Sequence, residues 1–402
     1  MTAIEHHSVV DFPTALADDE LFDPSRDMLA LSEQQPVWRL NYADGTVGWL
    51  VFDFPRARTV LNDPRFSVLP AGFPADDGGF GKATEALRNP GDLLRLDPPQ
   101  HTRVRKALTA FFTVSAIAEL RPAMEANVAT VMDAMEEHGA PVDFVQAFAR
   151  RVPAMAICSL VGIPQSESWR FEEPNAILGA FDRTTLEQKQ QALDGFYAYV
   201  HELIAEKRAE PADDVITKLL ARGELTDDEL AGVVWFLFAA GQDTTAATLS
   251  ATTYFLLYEP GRWQAVQVHP IERLVEELFR YVPVFRSGFP QRTALEDVDL
   301  DGYLIRAGEH VSVYQAAIHR DPGRYQDPDR FDPERDAAGH VFFGFGRHMC
   351  LGQHLARLEV QVGLVALMKR FPNLRLAVPR DEVTIIRNGF SHGLITELSV
   401  AW

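Results

Sequence analysis

The chain has 402 residues, 47% of them hydrophobic, enough for a large buried core and too many for a disordered chain. Lys plus Arg number 38 against 57 for Asp plus Glu, a formal charge of −19, which repels polyanions and argues against nucleic acid as a partner. Its two cysteines, Cys158 and Cys350, exclude a disulfide framework and a four-cysteine zinc site and suit a reducing compartment.

The N-terminal segment lacks a basic start followed by an apolar stretch, so no secretory signal is expected. Length alone allows two or three domains. No repeat, low-complexity tract or Gly/Ser-rich linker divides the chain, and a single domain over 1–402 is expected. The first part mixes strand-like pieces such as 47–52 with short helices. Residues 70–92, punctuated by Pro70, Gly72, Pro74, Gly78, Gly79, Gly81, Pro90 and Gly91, read as a long loop, a feature that is often functional. The pattern is mainly helical from 97 to 282. Thr226 and Glu229 form a capping box. The helix they open meets no proline before Pro260, so it runs past thirty residues. Its segment 233–240 is the longest apolar run in the chain, far too short to span a bilayer; no membrane anchor and a cytoplasmic location are expected. Residues 270–281 predict another helix, stopped by Pro283. Short strands and turns are expected over 285–314, with Asp301-Gly302 and Ala307-Gly308 as turn signals. A glycine- and proline-rich meander is expected over 319–349, a last long helix over 351–370 and short strands over 373–402.

The segment 343–352, FGFGRHMCLG, leads Cys350 into that last helix. A thiolate that binds a metal must be deprotonated, which an adjacent helix N-terminus favours. Its sulfur needs backbone N–H donors, and glycines let the backbone turn tightly and approach a flat macrocycle. A lone cysteine in a glycine-rich turn is most simply a buried residue, and Cys158, in an apolar helical stretch, is read as a small core residue. The full pattern FGxGxHxCxG is more specific. With it the chain resembles the cytochrome P450 family, soluble bacterial type. The resemblance extends in register from about 97 to 352 and is loose before residue 90. It implies a mainly α fold with minor β, a triangular helical domain with a small β-sheet part.

The resemblance makes Cys350 the axial ligand of a non-covalent haem b, with Phe343 shielding the sulfur, Gly352 in the signature and His348 bonding a propionate. No CxxCH is present for covalent attachment. Glu277 and Arg280, three apart on one helical face, match the family's ExxR pair. Arg335 is the expected meander partner, although Asp336 follows it where the family usually has an aromatic. Within the long helix, Leu237, Gly241, Thr244 and Thr248 share one face. A glycine inside a helix costs about 1 kcal/mol relative to alanine, and at Gly241 it could leave room for a ligand. Asp243 and Thr244 supply a carboxylate and a hydroxyl, the parts of a proton relay. They match the acid–alcohol pair of the family's A-G-x-[DE]-T-[TS] motif. His101 and Arg105, four apart on one face and suited to a carboxylate, match the family's propionate partners, as does Arg292. The substrate pocket would draw on the 70–93 loop, Phe236, Leu237, Ala240, Val284, Phe285, Arg286 and Ser287. Arg286 could anchor a carboxylate or carbonyl, or face solvent or the haem edge.

The implied activity is that of a monooxygenase inserting one oxygen atom from O2 into a lipophilic small molecule by hydroxylation or epoxidation, in tailoring of a polyketide, macrolide or terpenoid. The alternative is a haem-binding sensor or carrier without turnover. No flavin or ferredoxin segment is recognisable, so a ferredoxin and ferredoxin reductase are the expected electron donors. Arg103, Lys106 and Arg347 are candidates for the basic patch that would receive an acidic ferredoxin. A monomer is expected.

Overall fold

Strands form where β-branched and aromatic residues run together. Val37–Asn41 and Val47–Val51 pair antiparallel, with Val37 opposite Val51 and Leu40 opposite Gly48. The strand His310–Val313 lies parallel against the second of these. A Cβ at Gly48 would fall 2.5 Å from the His310 carbonyl oxygen, so only glycine lets the two backbones pass. The computed structural model describes residues 9–11, 22–42, 46–68, 90–179, 184–285, 291–386 and 394–402. Most of the loop expected at 70–92, together with Arg286 and Ser287, lies outside them.

Contacts gather the chain into two units. One comprises Met1–Lys82, Val268–Cys350 and Ile385–Leu394; the other comprises Ala83–Gln267, Leu351–Thr384 and Ile395–Trp402. The first holds a six-stranded mixed sheet in the order Val9–Asp11, Val37–Asn41, Val47–Val51, His310–Val313, Arg292–Ala294, Phe66–Ser67. Val37, Trp49, Val51, Phe54, Val60, Leu61, Val311 and Val313 form its apolar core. The helix Ile271–Tyr281 belongs to the same unit and ends before Pro283, because a residue preceding proline is pushed out of the helical region. The expected turns are there: Asp301 and Gly302 have φ of 53° and 93°, and Gly308 84°.

The second unit is helical around Asp227–Tyr258, a helix of 32 residues, roughly 48 Å at 1.5 Å per residue. Its N-terminus carries the expected capping box. Thr226 Oγ1 accepts from the Glu229 N–H at 3.2 Å, and Glu229 Oε2 accepts from the Thr226 N–H at 3.0 Å. Asp227, Asp228 and Glu229 place negative charge in the first turn, where the helix dipole favours it. The helix is buried around most of its circumference from Leu230 to Leu256, as expected of an element with neighbours on every side. These neighbours include the helices Arg151–Val161, Leu186–Ala209 and Gln353–Arg370. The last begins two residues later than the pattern indicated. Phe171 stacks on Phe238 at 4.6 Å, and Trp263 Nε1 donates to the Phe371 carbonyl at 3.2 Å. No described helix is long and apolar enough to cross a membrane.

One contact near the start of the long helix leaves no room for a side chain. A Cβ on Gly232 would fall 1.4 Å from the Pro90 carbonyl oxygen. Pro90 and Gly91 (φ 89° at Gly91) thus lie directly on the helix backbone. Gly195, exposed in the helix Leu186–Ala209, has none of the described residues within 4 Å of a Cβ. Gly232→Ala is expected to lower stability by about 1–3 kcal/mol or more through overpacking, and Gly195→Ala to raise it by about 0.5–1 kcal/mol. Urea unfolding of both variants measures this; a Gly232→Ala protein as stable as the parent would refute the close contact.

Candidate functional site

The cysteine loop is built by backbone geometry. Gly344 and Gly346 adopt φ of 71° and 74°, values that favour glycine. A Cβ at Gly346 would meet Asn62 Oδ1 at 2.5 Å. After a 3-10 turn at Gly346–His348, the Cys350 N–H donates to the Phe343 carbonyl at 2.8 Å and closes the loop. Phe343 is buried edge-on against Phe279, 5.1 Å between rings. Phe345 lies beneath the Arg58 guanidinium, 4.1 Å from the ring centre. His348 is half-buried within the turn, and Gly352 N-caps the following helix with open space beside its Cα.

The two cysteines now separate on physical grounds. Cys158 is fully buried, and burial, aided by Glu172, pushes its thiol up to about 12, so it stays protonated. Cys350 is exposed. Its single exposed thiol, at the end of a loop closed by its own backbone N–H, is a donor of the kind that a haem iron could take as its one thiolate from the protein.

Behind the loop lies a buried ion-pair network. Arg280 Nε and Nη2 donate to Glu277 Oε2 and Oε1 at 2.7 and 2.8 Å, and both side chains have zero exposure. Arg335 Nε reaches Glu277 Oε1 at 3.3 Å, and the Asp332 N–H donates to the same oxygen at 2.9 Å. The two guanidinium groups also donate to the carbonyls of His319, Gln326, Asp327, Pro328 and Arg330. Arg335 thus joins the pair even though Asp336 follows it.

In the long helix, Thr244 Oγ1 donates to the Ala240 carbonyl at 2.6 Å and Thr248 Oγ1 to the Thr244 carbonyl at 2.7 Å. Asp243 Oδ1 lies 3.4 Å from Arg150 Nη2. A Cβ at Gly241 would fall 2.7 Å from Ile157 Cδ1. The glycine thus admits the end of the Ile157 side chain from the helix Arg151–Val161. Leu237 is buried, while Phe236 and Ala240 are half-buried. In the other unit Val284 is buried and Phe285 half-buried.

On the helix Gln100–Thr109, His101 is buried and Arg105 half-buried, four apart as the spacing required. Arg292 is buried in its strand, with Nη1 donating to the Gln291 carbonyl at 2.9 Å. Arg103, exposed, pairs with the Glu229 carboxylate and donates to the Glu224 carbonyl at 3.0 Å, which ties this helix to the start of the long one. Lys106 remains exposed and Arg347 half-buried.

Sequence reasoning missed Glu359. It is fully buried in the helix Gln353–Arg370, shares a hydrogen bond with Thr245, beside Thr244, and leaves Oε1 without a partner among the described residues. Its only sequence signal is a charged residue on the apolar face of that helix. Burial raises its pKa from 4.5 to about 8. The folded protein thus keeps a proton that the unfolded chain releases, and stability is lost as pH rises through that window, at about 1.4 kcal/mol per pH unit. Glu359→Gln should remove this slope. Its urea midpoint should gain on the parent's from about pH 5 to about pH 8; parallel pH profiles would show that Glu359 is ionised in the fold.

The cytochrome P450 family model matches residues 160–269 and 264–392. Pentalenic acid synthase of Streptomyces avermitilis is 36% identical, covering 98% of each chain. A mycinamicin IV hydroxylase/epoxidase of Micromonospora griseorubida is 35% identical over 92% of this chain and 94% of its own. The crystal structure of a cytochrome P450 hydroxylase from the leinamycin pathway of Streptomyces atroolivaceus superposes with a TM-score of 0.86 at 34% identity, covering 98% of this chain and all of that one. These likenesses bear out the expected fold and favour a monooxygenase over a sensor. The chain belongs to the cytochrome P450 family, soluble bacterial type, and is a haem-thiolate monooxygenase.

Proposed function

We propose that Cys350 ligates the iron of a non-covalent haem b and that the protein hydroxylates or epoxidises a lipophilic small molecule with O2. The observation that carries this reading is the exposed cysteine at the end of a glycine-shaped loop, closed by the Cys350 N–H to Phe343 carbonyl bond. When bound, the haem supplies reductive O2 activation, with thiolate donation favouring O–O cleavage. Phe343 shields the sulfur, and His101, Arg105, Arg292 and His348 hold the propionates.

Asp243 and Thr244 manage protons at this site. With its hydrogen on the Ala240 carbonyl, Thr244 Oγ1 offers an acceptor; releasing that bond offers the proton. Arg150 holds the Asp243 carboxylate, so proton passage along Asp243 requires that pair to loosen. Phe236, Leu237, Ala240, Val284, Phe285, Arg286 and Ser287 contribute to the substrate pocket. A ferredoxin and its reductase supply electrons. With Arg103 engaged by Glu229, Lys106 and Arg347 are left as the cations to attract an acidic donor. The substrate class is a polyketide, macrolide or terpenoid, by analogy with the mycinamicin and pentalenic acid enzymes. The protein acts as a cytoplasmic monomer of one domain.

Cys350→His should abolish the red-shifted Soret band of the reduced carbon monoxide complex and Cys158→Ser should leave it intact; loss of the band in Cys158→Ser alone would overturn the ligand assignment. A lipophilic compound that shifts the haem spin state provides the substrate for a second test. Thr244→Ala should then retain haem content and the binding spectrum while electrons divert from product to hydrogen peroxide. The ratio of product to NAD(P)H consumed is the measurement, and an unchanged ratio counts against Thr244.

A further inference from the structure

His340 lies ten residues before Cys350 and outside the signature, yet it is buried against the loop. Its Nδ1 accepts the Phe342 N–H at 3.2 Å. That bond requires Nδ1 to be unprotonated and so puts the ring proton on Nε2. Nε2 lies 3.2 Å from Glu276 Oε2. Glu276 immediately precedes Glu277 on the helix Ile271–Tyr281, so adjacent carboxylates on one helix serve two different segments. Glu277 holds the meander through Arg280 and Arg335, and Glu276 faces His340. The imidazole also packs against three rings of the loop's support: Phe279 and Phe342 at 6.0 Å and Phe343 at 5.9 Å. On its other side is His319, fully buried at 5.8 Å. Burial first, then its neighbours His340 and Arg280, drive the His319 pKa well below its ordinary value, so His319 adds no charge of its own.

We propose that His340 is a positioning residue for the cysteine ligand. With its tautomer set by Phe342 and its outer nitrogen facing Glu276, it fixes the backbone at Phe342–Phe343. The Phe343 carbonyl is the group to which the Cys350 N–H bonds, so the orientation of that carbonyl determines how the sulfur is presented. A residue that only filled space could be replaced by phenylalanine. A residue that supplies the Nδ1 acceptor could be replaced by asparagine, whose Oδ1 occupies nearly the same position.

The inference rests on Cys350 being the iron ligand, and one set of purified holoenzymes separates the two claims. The readouts are the share of red-shifted band in the reduced carbon monoxide spectrum, the reduction potential and the unfolding midpoint. His340→Phe should lose most of the red-shifted band to the unshifted form and move the potential, whereas His340→Asn should restore both. Full band and parental potential in His340→Phe overturn the proposal, as does equal loss in the Phe and Asn variants. If His340→Phe takes up no haem, His340→Asn is compared with His340→Leu: a retained band in Asn alone supports the proposal, and equal behaviour overturns it. A red-shifted band surviving in Cys350→His would instead refute the ligand assignment.

Discussion

The buried pairing of Glu277 with Arg280 is the constraint on which the cysteine side of the protein depends. Two charges with no exposure are tolerated only when their attraction is joined by hydrogen bonds to every remaining polar atom; removing one partner from such a pair costs about 3–5 kcal/mol. Here the meander supplies those bonds. Lacking a regular ladder, it has carbonyls that need donors, and Arg280 and Arg335 satisfy those of His319, Gln326, Asp327, Pro328 and Arg330. An irregular segment thereby acquires a fixed path. Its end is the loop that presents Cys350, and Phe279 of the same helix packs against Phe342 and Phe343 as the loop begins.

The helical unit is organised differently, by one long helix whose neighbours dictate which residues can be small. Gly232 admits the Pro90 carbonyl and Gly241 admits the Ile157 side chain. Between and beyond these contacts the helix keeps polar groups that a purely apolar core element would not carry: Asp243, Thr244, Thr245 and Thr248. Each threonine hydroxyl that bonds a carbonyl one turn back is satisfied without leaving the helix and costs little. Asp243 lies against Arg150, whereas burial pushes the Glu359 carboxyl up.

Much of this was legible in the sequence because it is written in short windows. The Thr226–Glu229 capping box, the proline stops at Pro260 and Pro283, the Asp301-Gly302 turn and the ten-residue signature around Cys350 each obey local rules of hydrogen bonding and backbone sterics. Those rules hold wherever the segment lies in the fold. The ExxR spacing likewise guaranteed that Glu277 and Arg280 share a helical face.

Tertiary structure alone decided which partner each side chain found. Arg103 meets Glu229 across a separation of 126 residues, which ties two helices together. Gly241 proved to be shaped by Ile157, Glu359 was drawn to Thr245, and Glu276 to His340. No spacing rule reaches these pairs. Their energies arise from burial and close packing, which exist only after distant segments have come together. The sequence by itself determined the family and most of the helices, through short-range rules of spacing and backbone sterics; the folded chain determined which side chains are buried, which are held still and which are already engaged.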